Sequence, residues 1–234
     1  MSNELIFFIE LIVAYGILLL INKFFGKEGL IAWVAIASIL ANVLTAKNVD
    51  AFGMTYTLGT IMFASTFLAT DILSERFGKE SAKKGVYIGL LGTLCLVVFS
   101  QIGLWYKPSV IDYAHDSMNT LFSLSLRISI SSMVMYFIAN MMDVYIYNKL
   151  KEKTGDRLMW VRNNVATILC NCLENFFFMF GAFYKVFDTK DVLMMAISTS
   201  LVEIIAGILD TPFLYLATRK ERKERAKVAE NVQR

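Results

Sequence analysis

The chain has 234 residues, 56% of them hydrophobic and 18% charged, with a formal net charge of +3 and a mean hydropathy of +0.55. A soluble domain carries about a quarter charged residues, whereas here the apolar residues run in blocks long enough for bilayer crossings at roughly 20 residues each. That distribution excludes a separate soluble catalytic domain, and with two prolines and one histidine, His115, it leaves no material for a multi-histidine metal site or a histidine-driven triad. Cys95, Cys170 and Cys172 lie inside apolar runs, and their C-x-C spacing fits neither zinc nor redox chemistry, so they read as small buried hydrophobes. Met1-Ser2-Asn3-Glu4 lacks the basic region of a secretory signal, and the first apolar run is expected to be retained.

In chain order the candidate spans are about 5–22, 30–46, 56–74, 84–106, 119–148, 164–184 and 191–217. The third is the weakest, since it runs straight into Asp71-Ile-Leu-Ser-Glu75-Arg76, and a short, tilted or re-entrant helix is an alternative there. Placing the 23 Lys and Arg residues on alternating sides puts 18 on one side and only Lys47, Lys107, Lys185 and Lys190 on the other, with Arg127 inside a span. Retained positive charge in short loops marks the cytoplasm, so the sorting predicts seven crossings, an outside N-terminus and a cytoplasmic C-terminus. Residues 1–218 then form a single transmembrane domain and 219–234 a basic cytoplasmic tail, read as a solvated helix near anionic headgroups. The positive charge is topology signal and not a sign of nucleic acid. The fold class expected is an all-α integral membrane bundle of seven helices, a six-helix core plus an N-terminal helix.

Polar side chains inside spans are costly unless they face other helices or a watery cavity. In the second span Ser38, Asn42 and Thr45 share a side, and in the third Thr60, Asp71, Ser74 and Glu75 do. In the fifth, Ser125, Ser129, Ser132, Tyr136, Asn140, Asp143 and Tyr147 fall within a sector of about 80°, a stripe some 33 Å long. The sixth carries Asn163, Thr167, Cys170, Asn171, Glu174 and Phe178, with Asn175 at the edge, and the seventh Glu203, Gly207 and Asp210. The first offers only Glu10 and Tyr15 and reads as peripheral.

Hydroxyls and amides in spans often only join helices, for about 0.6–2 kcal/mol per bond. Asp71, Glu75 and Asp143, near the basic ends, suit a site or a solvated cap equally. Glu174 and Glu203 lie deeper, where a carboxylate without a function is expensive. Arg127 lies off the stripe of its helix and can snorkel, pair with a carboxylate, or read an anionic or carbonyl group. Gly85-x-x-x-Gly89 sits within a span and predicts close helix packing, not a phosphate loop. Spans two to four and five to seven make two triplets that inverted topology would relate.

At these residues the chain resembles a known family. Phe67-Leu-Ala-Thr-Asp71-Ile-Leu-Ser-Glu75-Arg-Phe77-Gly78-Lys79, Arg127-Ile128 with Ser132, Asp143-Val-Tyr-Ile-Tyr147, Trp160-Val-Arg162-Asn163-Asn164 and Asp210-Thr211-Pro212 with Tyr215 are similar, in colinear order over roughly 30–220, to the queuosine precursor transporter family, also called the vitamin uptake transporter family. The resemblance implies a multi-pass importer of 7-deazaguanine bases such as preQ0, preQ1 or queuine in a bacterial plasma membrane. It implies no enzyme activity, cofactor or metal, and no partner beyond the base and the bilayer; assembly as a homo-oligomer stays open. Two departures stand out. Cys170-Asn171-Cys-Leu-Glu174-Asn175 replaces the family's usual Ser-Gln followed by Asp-Thr, and Glu203 stands where a Lys commonly precedes Asp-Thr-Pro.

The chemistry is compatible with such a ligand. A guanine-like ring shows two adjacent donors that one carboxylate accepts, while amides pair with its other edge and an aromatic ring covers its face. The candidate substrate-binding set is therefore Asn42, Asp71, Arg127, Asn140, Asp143, Asn171, Glu174, Phe178 and Glu203. The rival reading is a substrate-binding membrane subunit of an ATP-driven vitamin or nucleobase uptake complex; a membrane enzyme lacks any supporting motif.

Overall fold

The structure is a computed structural model and describes residues 1–122, 126–155 and 158–219, with the backbone alone for residues 126, 127 and 129. Its first helix, α1, runs Asn3–Leu44 but breaks at Gly26, whose φ of 56° and ψ of −132° are readily adopted only without a Cβ. Asn3 Nδ2 donates to the Asp50 carbonyl at 2.7 Å, and the Phe7 ring meets Phe52 and Tyr56 edge-on at 5.3 and 6.1 Å. The start of α1 thus lies beside the residues that follow its end, so the helix folds back into two antiparallel arms. Phe7, Leu11, Ala14, Tyr15 and Leu18 form the buried stripe of the first arm, while Ile12, Val13, Leu20 and Phe24 face outward. Tyr15 still reaches inward, donating its hydroxyl to the Ala206 carbonyl at 3.3 Å.

A hairpin, β1 Asn48–Ala51 and β2 Met54–Thr57, follows, turning on Phe52 and Gly53 with φ of 56° and 71°. Two consecutive positive φ values match the twist of the strands. The sequence reading leaves 47–55 between spans and starts the third span at 56, so the described residues correct it with one small sheet that takes in Tyr56 and Thr57. Four-residue strands are too short for their alternation to stand out, and the Phe7 and Phe8 rings packed on Phe52 support the turn from α1.

Helix α2, Thr60–Arg76, is 17 residues or about 26 Å long, a little short of the hydrocarbon core. From Thr60 to Glu75 nearly every side chain is buried. Its hydroxyls cause no conflict there, because Ser65, Thr66 and Thr70 donate to the carbonyls of Met62, Phe63 and Phe67 at 2.7–2.9 Å. Helix α3, Lys79–Trp105, lays Gly85, Gly89 and Gly92 against Val34, Ser38 and Ile39 of the second α1 arm, the close packing its G-x-x-x-G spacing predicts.

Residues 123–125 of the expected fifth span lie outside the described residues. A short exposed helix, α4 His115–Phe122, precedes α5, Leu126–Thr154, which continues past the predicted end at 148. Lysines are good helix formers, and Lys151 extends the helix usefully by donating Nζ to the Ser74 and Glu75 carbonyls at 2.9 and 3.0 Å, at the negative end of the α2 dipole. Gly155, at φ 58°, closes it. Helices α6, Met159–Phe183, and α7, Thr189–Ala217, complete the bundle. Of the cysteines only Cys170 is buried; Cys95 and Cys172 face outward, correcting the expectation for both. The basic tail lies outside the described residues except for Arg219.

Among the described residues, α1, α3, α5, α6 and α7 are long and apolar enough to cross a bilayer, which makes this an all-α membrane protein. One end of the bundle carries the hairpin and α4. The other carries the basic loops, tied by Asn22, which donates to the Ala217 carbonyl at 3.3 Å and accepts from Arg76.

A Cβ on Gly89 would overlap the Tyr136 hydroxyl and touch Val34, whereas one on Gly16 meets nothing within 4 Å. Gly89→Ala is expected to cost about 1–3 kcal/mol, read as a lower melting temperature of the purified protein in detergent, with Gly16→Ala near wild type.

Candidate functional site

A cleft of about 580 Å³, mouth included, opens beneath the hairpin between α1, α2, α5, α6 and α7. Its wall brings together Asn42 and Thr45 of α1, Phe63 of α2, Ser132 and Tyr136 of α5, Glu174, Asn175 and Phe178 of α6, and Thr199 and Glu203 of α7. Each side chain is there because its helix turns a polar stripe inward while Ile130, Val134, Ile138, Leu169, Leu173 and Ile208 take the outer faces. Asn42 donates to its own helix at the Ser38 carbonyl, 2.8 Å, leaving its oxygen to face the Ser132 hydroxyl at 3.4 Å. The Tyr136 and Ser38 hydroxyls are 3.0 Å apart. Asn175 Nδ2 donates to Glu203 at 2.5 Å, which fixes that carboxylate at the wall. Glu174, nearly buried, accepts no hydrogen bond from any described residue.

Below the cleft the groups are layered at one-turn steps. On α2, Phe63, Phe67, Asp71 and Glu75 descend about 18 Å toward the basic end. Phe63 stacks edge-on with Phe67 and Tyr136, at 5.3 and 6.1 Å, and Phe67 joins Ala139 and Cys170 in an apolar floor. Thr66 meets the Asn140 oxygen at 3.3 Å beside it. Next come Asp71 and Asp143, fully buried, with Asp210, whose Oδ1 accepts from Asn163 at 2.7 Å.

The lowest layer is an ionic closure. Arg162, 1% exposed, donates to Glu75 Oε2 at 2.7 Å and to the Gly155 carbonyl at 2.8 Å, over the Tyr147 ring. Tyr147 and Lys151 reach the same Glu75 oxygen at 3.2 and 3.4 Å. A buried pair of this kind needs additional bonds to offset desolvation, and these neighbours supply them.

Of the nine residues proposed from sequence, Asn42, Glu174, Phe178 and Glu203 line the cleft. Asn140 and Asn171 lie one turn deeper on α5 and α6, and Asp71 and Asp143 deeper still, away from its wall. The Arg127 side chain lies outside the described residues. Phe63, Tyr136, Asn175 and Thr199 are wall residues that the proposed set omits. Tyr136 and Asn175 were on or beside recognised stripes; a lone Phe or Thr carries no such mark.

A cleft with a polar wall inside a bundle of apolar helices is the arrangement a membrane transporter of small solutes needs, and the comparisons with known proteins give that class. Residues 57–217 match the family described as "Putative vitamin uptake transporter". The chain is 31% identical to a probable queuosine precursor transporter of Bacillus subtilis (strain 168) over 220 residues, 94% of this chain and 96% of the relative. It is 26% identical to a queuosine precursor transporter of Escherichia coli (strain K12) over 157 residues, 65% and 68% of the two chains. The chain therefore belongs to the vitamin uptake transporter family. No solved structure matches it significantly.

Arg162→Met removes the nearest cation from the buried Glu75 carboxylate, leaving Tyr147 and Lys151, and is expected to cost up to about 3–5 kcal/mol, seen in thermal unfolding in detergent. Adding Glu75→Gln to the same chain is expected to recover part of that loss.

Proposed function

We propose that this protein imports queuosine precursors, 7-deazaguanine bases, across the bacterial plasma membrane as a carrier and not as an enzyme. The observation that carries the reading is the pair of cleft carboxylates. Glu174, free of protein donors, suits the adjacent N1–H and 2-amino donors of the base, while Phe63, Tyr136 and Phe178 offer rings for its face and Asn42 an amide for its edge. The names of the relatives support the same substrate class.

In this reading the two arms of α1 cross separately, and α2 crosses as a short central helix, giving seven crossings with inverted triplets. The Lys- and Arg-rich end faces the cytoplasm, so the cleft opens outward and the Glu75–Arg162 layer closes the inner side. In a cysteine-free background, Val110→Cys is expected to react with an impermeant maleimide on intact cells, and Lys153→Cys only after permeabilisation. Labelling of both from one side would remove the seven-crossing arrangement.

Proteoliposomes containing this chain alone test the function: uptake of a labelled base without ATP supports a self-sufficient carrier, and a strict need for other subunits and ATP favours the uptake-complex reading. Glu174→Gln is expected to abolish uptake with little change in melting temperature, since no internal bond is lost. Glu203 selects for amine-bearing bases over the neutral nitrile form. Glu203→Lys is expected to move that preference at least tenfold toward the nitrile, about 1.4 kcal/mol, in competition uptake assays; an unchanged order would remove this role.

A further inference from the structure

The layer between the cleft and the ionic closure has no place in base recognition as described. The carboxyls of Asp71 on α2 and Asp143 on α5 face each other in hydrogen-bonding contact and are fully buried. No described donor satisfies any of their four oxygens. The Thr167 hydroxyl on α6 is aimed at Asp143, equally buried and equally without a partner. Asp210 on α7 faces both carboxyls and keeps one oxygen unpaired, its other held by Asn163. Cys170 borders the pair from α6. Arg162 is within electrostatic reach of Asp71, but its guanidinium bonds to Glu75 and lies over the Tyr147 ring, whose hydroxyl also donates to Glu75.

Two carboxylates in contact, away from water, cannot both stay ionised; one proton shared between them removes the repulsion and supplies the missing donor. Among the described residues no set of Asp, Glu, His and Cys side chains has the arrangement to hold a metal ion. The layer is also connected to the cleft. On α6 the fully buried Asn171, with both amide atoms unpaired, lies one turn below Asn175 and one above Thr167, and on α5 Asn140 bridges Tyr136 and Asp143 in the same way.

We infer that Asp71 and Asp143 form a proton-binding site that couples inward movement of the base to one proton. The proton is taken up from water entering through the cleft, whose path the polar side chains of Asn140 and Asn171 line without themselves being protonated. When the inner closure opens, Arg162, released from Glu75, comes to Asp71 and displaces the proton to the cytoplasm; no bond other than O–H forms or breaks. This rests on the reading of the protein as a carrier of 7-deazaguanine bases.

The test uses purified full-length protein in proteoliposomes containing a pH-sensitive dye, with the membrane potential clamped at zero and the aminomethyl base as probe. Exchange of labelled for unlabelled base at equal pH on both sides tests the carrier reading alone, and its absence removes that reading and this one with it. With exchange present, adding the base outside is expected to acidify the lumen, and an acid-outside gradient to accumulate it about tenfold per pH unit. Exchange without acidification, or accumulation driven by a sodium gradient instead, overturns proton coupling. The wild type decides coupling and the variants decide its location. Asp143→Glu, which keeps a titratable carboxyl, is expected to retain acidification, and Asp143→Asn and Asp71→Asn to lose it; acidification by either amide variant at the wild-type rate places the proton elsewhere.

Discussion

A helix of 17 residues carrying two carboxylates, two serines and three threonines has no place beside hydrocarbon, and the enclosure of α2 is the constraint to which the other helices answer. Three of the hydroxyls, those of Ser65, Thr66 and Thr70, are spent on its own carbonyls, so they ask little of the neighbours. The carboxylates ask a great deal. Glu75 draws Arg162 from α6 and both Tyr147 and Lys151 from α5 into one layer, and that layer fixes the basic ends of three helices at a common level.

The remaining packing follows from bringing helices close to α2. Small residues of α3 let the second arm of α1 approach closely, and the space left at Gly89 is the space the Tyr136 hydroxyl occupies. Gly207 plays a related part on α7, where an added Cβ would come to 3.1 Å of Thr167. Under the hairpin these helices leave the cleft between them, lined from α1, α2, α5, α6 and α7. Its polar wall is therefore a by-product of the same inward-facing stripes that, deeper down, are packed shut.

Much of this was legible in the sequence because a lipid-facing surface tolerates so little variation. The long apolar runs located the helices, the three-to-four-residue spacing of polar side chains located their inward faces, and Asn42, Glu174, Phe178 and Glu203, named from that spacing, line the cleft. What could not be read was which level stays open. From sequence Asp71 falls near the basic end, where a solvated cap is as good a reading as a site, and Glu174 deeper, yet Asp71 is fully buried in a closed layer and Glu174 lines the open wall, a difference set by packing between helices that no single stripe records. The hairpin escaped for another reason: its four-residue strands are held by Phe7, some 40 residues away, a contact no local pattern announces.

The break in α1 has a mechanical meaning. One arm is fastened to α7 through Tyr15 and Asn22, and the other lies on α3 and supplies Ala41, Asn42 and Thr45 to the cleft. The two arms form a clasp that bends at Gly26, so a displacement of α7 relative to α3 has torsion at Gly26 and movement of the Asn42 wall as two ways to be taken up. A rearrangement that begins among the helices at the basic end thereby has a covalent lever reaching the mouth on the far side of the membrane.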